Sequence, residues 1–93
     1  MVPETDERYR LKDHLLLRVF EDGGVVFDLD SRVCHEINRT AGRMLQYLNG
    51  EYELDTVAEI LAAEFDAPSH AVEKDLRGFI SDLIERGWID VPE

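Results

Sequence analysis

Only one cysteine, Cys34, occurs in the 93-residue chain, so no intramolecular disulfide can staple the fold. That usage fits a reducing compartment, and the expected location is the cytoplasm. Basic residues are scarce as well: ten Lys+Arg stand against 21 Asp+Glu, a net charge of −11. The imbalance is uneven. Residues 1–43 hold nine acids and seven bases, a net of −2, and residues 44–93 hold twelve acids and three bases, a net of −9. An acidic second half repels phosphate backbones, so nucleic acid is not an expected partner. No apolar run approaches the roughly 20 residues that span a bilayer, so no membrane association is expected. The opening "MVPETDERYR" is charged and has no apolar centre, so a secretory signal is not expected either.

What is present is a regular apolar pattern. Hydrophobic residues make up 44% of the chain, enough for a folded single domain over 1–93 with one modest core. Residues 1–10 read as a loose polar tail. "HLLLRVF" (14–20) and "VVFDLD" (25–30) read as strands, with "EDGG" (21–24) as the turn between them. A tight turn at "DSR" leads to a third strand, "VCHEI" (33–37). The period then changes from two to 3.6. Ala41, Met44, Leu45 and Leu48 form one helical stripe, with Asn38 as its N-cap and Gly50 at its end. A second helix runs from about Asp55 to Phe65, striped by Val57, Ile60, Leu61 and Phe65. "DAPS" breaks the chain, with Ser69 as the expected cap of a third helix. That helix carries Val72, Leu76, Phe79, Ile80, Leu83 and Ile84 and ends at Gly87, after which Trp88 and Ile89 close the core. The fold class is therefore α+β: a three-stranded antiparallel sheet followed by three helices, like a winged helix-turn-helix with its wing first. Gly78, inside the third helix, reads either as chance or as a point of close backbone approach.

Cys34-His35-Glu36 is the most reactive-looking triplet. On a strand, neighbouring side chains point to opposite faces, so Cys34 and His35 cannot reach each other as nucleophile and base. Metal binding has no support from spacing: Cys34, His14, His35 and His70 form no CxxC, HxH or HExxH pattern. "EDGG" carries two acids and no phosphate-loop pattern. Met44, Phe65, Phe79 and Trp88 sit at core spacing. No catalytic residue, metal or cofactor is expected.

The stretches "VCHEINRTAGRMLQYLNGEYELDTVAEILAAEFDAP" and "VEKDLRGFISDLIERGWI" resemble coenzyme PQQ synthesis protein D (PqqD), also described as the recognition element for ribosomally made, modified peptides. The resemblance rests on Ile37-Asn38, Thr40-Ala41, Leu45, Leu48, Gly50, Val57, Leu61, Phe65, Val72, Asp75-Leu76, Phe79, Leu83 and Gly87, in order, and covers roughly residues 14–89. It implies a non-catalytic winged-helix-like domain. Such domains bind the leader of a precursor peptide as an added strand and present it to a modifying enzyme, in the PQQ pathway a radical-SAM protein. On this chain the implied peptide contacts are Val33, Cys34, His35, Glu36 and Ile37 of the third strand. The third helix would contribute Val72, Asp75, Leu76, Phe79, Ile80 and Leu83.

The residues themselves permit that mode. An unpaired third strand is a template for β-augmentation, and Asp75 and Glu36 could pair with basic peptide residues. The same free edge leaves an edge-to-edge or swapped homodimer open. The rivals are a winged-helix DNA-binding regulator and a generic acidic adaptor. Against the regulator, residues 70–86 hold three bases (Lys74, Arg77, Arg86) and four acids (Glu73, Asp75, Asp82, Glu85). Which precursor and which pathway are served stays open.

Overall fold

Three strands precede three helices in the computed structural model, which describes residues 7–90: β1 Leu15–Phe20, β2 Gly23–Asp28, β3 Val33–Asn38, α1 Arg39–Tyr47, α2 Leu54–Phe65 and α3 Ser69–Arg86. The strands form an antiparallel meander in the order β1-β2-β3. Strand β2 is central, and both β1 and β3 are edges. The register pairs Val19 with Gly24 and Gly24 with Ile37, so alternate residues of all three strands share a face. One face, with Leu17, Val26 and Ile37, turns toward the helices. The core lies there, and Val26, Leu45, Leu54, Val57, Leu61, Leu76, Leu83 and Ile89 are its most completely buried side chains. None of the described helices is long and apolar enough to cross a membrane.

The "EDGG" segment departs from expectation in an informative way. Only Glu21 and Asp22 form the turn, while Gly23 and Gly24 are buried inside β2. Strand β2 therefore starts two residues early and ends at Asp28, leaving Leu29 and Asp30 to the next turn. The glycines serve close packing. A Cβ at Gly24 would stand 2.5 Å from the Arg18 carbonyl oxygen, and one at Gly23 2.9 Å from that of Ile37. Helix α1 approaches the same place, where a Cβ on Gly42 would lie 3.3 Å from the Gly23 carbonyl oxygen.

Helix ends follow local chemistry in part. The Asn38 side chain accepts a hydrogen bond from the Ala41 N–H at 2.8 Å, a cap worth about 1 kcal/mol. Helix α1 stops at Tyr47 and not at Gly50, which lies two residues past the Leu48 cap with φ +86° and donates its N–H to the Tyr9 carbonyl. Ser69 is the first residue of α3 and makes no capping bond. The N-cap is Pro68, whose carbonyl accepts from Ala71 and Val72. Gly87 ends α3 in the left-handed region at φ +79°, with its own N–H and that of Trp88 returning to the carbonyls of Ile84 and Leu83. Gly78 is exposed, and nothing in the chain comes within 4 Å of a Cβ built there.

The loose tail expected over residues 1–10 is tied down from Glu7 onward, residues 1–6 lying outside those described. Glu7 makes a two-pronged ion pair with Arg77 of α3 at 2.9 and 3.1 Å. Arg10 and Leu11 form single β-bridges to Asn49 and Ile89. Charge pairing and backbone bonds across the chain hold a segment whose local sequence has no structural preference.

Two charged pairs make stability acid-sensitive. The Arg43 guanidinium grips Glu64, joining α1 to α2, and holds its carboxyl below the usual carboxylate range against the opposing pull of partial burial. Arg77 does the same to Glu7. A carboxyl whose folded pKa lies below its unfolded value stabilises fully above the ordinary value of 4.5, and that stabilisation is lost as pH falls below it. Urea midpoints are expected to drop between pH 5 and 3, and Glu64→Gln is expected to flatten part of that drop. An unchanged pH slope in Glu64→Gln would remove this pair from the account.

Candidate peptide-binding cleft

The free edge of β3 borders an open cleft of about 490 Å³ whose far wall is α3. Among the described residues no strand pairs with that edge, so its backbone N–H and C=O groups on that side have no ladder partner. Alternation half-buries His35 and Ile37 and leaves Val33, Cys34, Glu36 and Asn38 exposed. Cys34 and His35 thus point to opposite faces, as the strand reading requires. No buried charged or polar side chain occurs among the described residues.

The end of the cleft is built by the α3 terminus. The left-handed turn at Gly87 swings Trp88 back beneath the sheet, and its ring meets the His35 imidazole edge to face at a centroid distance of 5.0 Å. The Arg86 guanidinium lies over the same indole at 5.6 Å. Strand and helix end are thereby propped apart at a fixed separation. At the other end the cleft continues into a hollow of about 310 Å³ that shares Asn38, Ala41 and Phe79 and adds Thr40, Met44 and Asp75.

Of the residues expected to meet a peptide, Cys34, His35, Glu36, Ile37, Phe79 and Leu83 line the cleft, and Asp75 lines its continuation. Val33 sits on β3 beyond the lining. Val72, Leu76 and Ile80 point into the core instead, with 5%, 0% and 4% of their surfaces exposed. Phe79, expected to be core, is only half-buried because the core stripe of α3 is narrower than its apolar stripe. Asn38, Ala41, Asp82, Arg86 and Trp88 complete the lining and were not singled out as contacts. The available signal was the Arg-Gly-Trp run at the helix end, a cap followed by an aromatic.

Two other readings meet the geometry here. Two of the three bases on α3 are engaged, Arg77 with Glu7 and Glu73 and Arg86 over Trp88, which removes most of what would face a phosphate backbone. His14, Asp28 and Asp30 bring potential ligand atoms within 4.8 Å of one another, a grouping not visible from spacing. The β2-β3 turn explains it: Asp28 Oδ1 accepts from the Asp30 and Ser31 N–H groups, which also hold its carboxyl below the usual range.

Comparison with known proteins agrees with this architecture. The chain is 33% identical over 55 residues to a PqqA binding protein of Rhizobium meliloti (strain 1021), a match covering 59% of this chain and 56% of the relative. The chain thus spans about half the length of that relative. A lasso peptide synthetase B1 complexed with its leader peptide superposes with a TM-score of 0.75 at 24% identity, over 89% of this chain and 98% of the other. The PqqD truncation of Methylobacterium extorquens PqqCD, described as a stand-alone recognition element for ribosomally synthesised, modified peptides, gives a TM-score of 0.73 at 20% identity over 88% and 87%. At such identities these likenesses establish the fold. The sequence model for coenzyme PQQ synthesis protein D matches residues 23–89, from the buried glycines of β2 to the last core residue, and the chain belongs to that family.

Proposed function

We propose that this domain binds the leader segment of a ribosomally made precursor peptide and presents it to a peptide-modifying enzyme, such as a radical-SAM protein. The leader adds to β3 as a fourth strand. Its backbone pairs with the free edge, and alternate side chains enter the cleft against Phe79 and Leu83. The observation that carries the reading is the coincidence of an unpaired strand edge with an open cleft along the same strand. The names of the curated relative and of the leader-bound synthetase support it from outside the chain.

The lining sets what the leader offers. Ile37, Ala41, Phe79 and Leu83 favour small aliphatic or aromatic side chains, while Asp82 and Glu36 favour a basic residue and Arg86 an acidic one near Trp88. Val72, Leu76 and Ile80 act through the core, by holding α3 at its distance from β3.

An isotope-labelled sample titrated with a synthetic leader from a precursor encoded nearby provides the test. Amide shifts are expected to concentrate on residues 33–38 and on 79–88. Absence of shifts, or shifts confined to α2 and the N-terminal segment, would overturn strand addition in this cleft.

A further inference from the structure

The side of α3 that faces the cleft is one stripe. Asp75, Phe79, Asp82 and Arg86 recur at i, i+4, i+7 and i+11, beside the core stripe of Val72, Leu76, Ile80 and Leu83. Asp75 stands apart from the rest, in the hollow of about 310 Å³ beyond Phe79. That hollow is lined by apolar Ala41, Met44 and Phe79 and by uncharged Asn38 and Thr40, so Asp75 is its one charged group. Met44 is buried and Asp75 exposed, which puts the methionine at the base and the carboxylate at the mouth. Among the described residues Asp75 forms no ion pair, although Lys74 adjoins it and Arg39 opens α1. It is not needed as a cap either, because the Asn38 side chain already accepts from the Ala41 N–H.

We propose that this hollow is the subsite for a lysine or arginine of the leader, and that it sets the register of the added strand. The inference rests on the strand-addition reading above. The methylene stem of such a side chain lies along Ala41, Met44 and Phe79 while its charged head reaches the Asp75 carboxylate. An aliphatic side chain there strips water from an unpaired carboxylate, and an acidic one is repelled by it. Main-chain pairing along β3 has little sequence preference of its own, so the side-chain subsites must supply the register.

The stripe also fixes a spacing. Along the helix axis Asp75 lies about 6 Å from Phe79 and about 16 Å from Arg86. Alternate residues of an extended peptide are about 6.6 Å apart and point to the same side. The basic residue therefore stands two positions from the side chain held against Phe79 and Leu83. It stands four positions from an acidic residue at Arg86, whose long side chain covers the remaining few ångströms. The spacing is the same whichever way the leader runs.

The test uses the synthetic leader of a precursor encoded nearby, and copies in which each Lys or Arg is replaced singly by Gln. Calorimetric titration of the full chain and of Asp75→Asn, with circular dichroism confirming the fold, gives the coupling between each leader base and Asp75. Asp75→Asn is expected to weaken the unaltered leader about 3–5-fold, the upper range for one partly exposed ion pair, and the difference is expected to shrink as salt rises. One Gln copy alone is expected to show the same loss on the unaltered domain and no further loss on Asp75→Asn. Methionine-methyl NMR locates the contact: the Met44 resonance is expected to shift with the unaltered leader and not with that copy. Full affinity in Asp75→Asn, or equal losses from every base on both domains, overturns the subsite and leaves strand addition standing. So does a loss of affinity with Met44 unmoved, or a leader that binds without any basic residue. A leader that fails to bind the unaltered domain overturns strand addition, and the subsite with it.

Discussion

Gly24→Ala is expected to lower the unfolding free energy by about 3 kcal/mol, close to the upper end of what overpacking a tight site costs. The added methyl would stand 2.5 Å from the Arg18 carbonyl oxygen and 3.3 Å from both the Val19 Cα and the Ile37 Cδ1. Two of those three neighbours are backbone atoms of the paired strand, so relief requires β1 to move away from β2. That movement would strain the ladder from Leu15 to Phe20 and the packing of Val19 under α1. A domain of this size has a total stability of about 5–14 kcal/mol, so the loss is a large share of it. Gly78→Ala is the matched control. It sits exposed in mid-helix with open space around the new Cβ, and is expected to raise stability by about 0.5–1 kcal/mol. Urea unfolding of the two variants should therefore move the midpoint in opposite directions. Equal, small effects would mean that β1 and β2 are not held at the close approach described.

Phe79→Ala is expected to weaken leader binding by about 10–100-fold while costing less stability than truncation of its neighbour Leu76. Phe79 is shared by the cleft and its continuation, so one ring separates two places where a peptide side chain can lodge. Buried aromatic anchors at the centre of an interface carry much of its energy, and a loss of about 1.4–2.8 kcal/mol corresponds to that range. Leu76, three residues earlier, is fully buried, and Leu76→Ala is expected to cost about 2–5 kcal/mol of stability through the cavity it leaves. Calorimetric titration with the leader, alongside urea unfolding, separates the two roles. Unchanged affinity in a folded Phe79→Ala protein would move the binding site off this cleft.

Much of the fold is legible in the chain because it rests on short-range chemistry. Asn38 caps α1 through a bond to its own third neighbour, and Gly87 ends α3 because the left-handed turn there suits glycine. The switch from alternation in "VCHEI" to the spacing of Ala41, Met44, Leu45 and Leu48 marks the passage from β3 to α1. The same alternation separates Cys34 from His35, which decides against a dyad before any contact is known.

The misreadings share one cause. "EDGG" has turn composition, and two glycines beside two acids cannot show that the glycines are pressed between a neighbouring strand and α1. Ser69 has the chemistry of a cap, but the chain enters α3 through Pro68. Glu7 looks like part of a loose tail until Arg77, 70 residues away, comes within hydrogen-bond reach.

What the sequence by itself determined is the order of elements, their approximate ends, the family pattern and the free third strand, since each follows from residues a few positions apart. Only the tertiary structure decided how the apolar stripe of α3 divides, sending Val72, Leu76 and Ile80 into the core and leaving Phe79 in the cleft. It also decided that Trp88 would meet His35 and hold that cleft at its width. The physical reason is that helix rotation and strand-to-helix separation are set by packing summed over the whole core, and no local stretch of sequence encodes that sum.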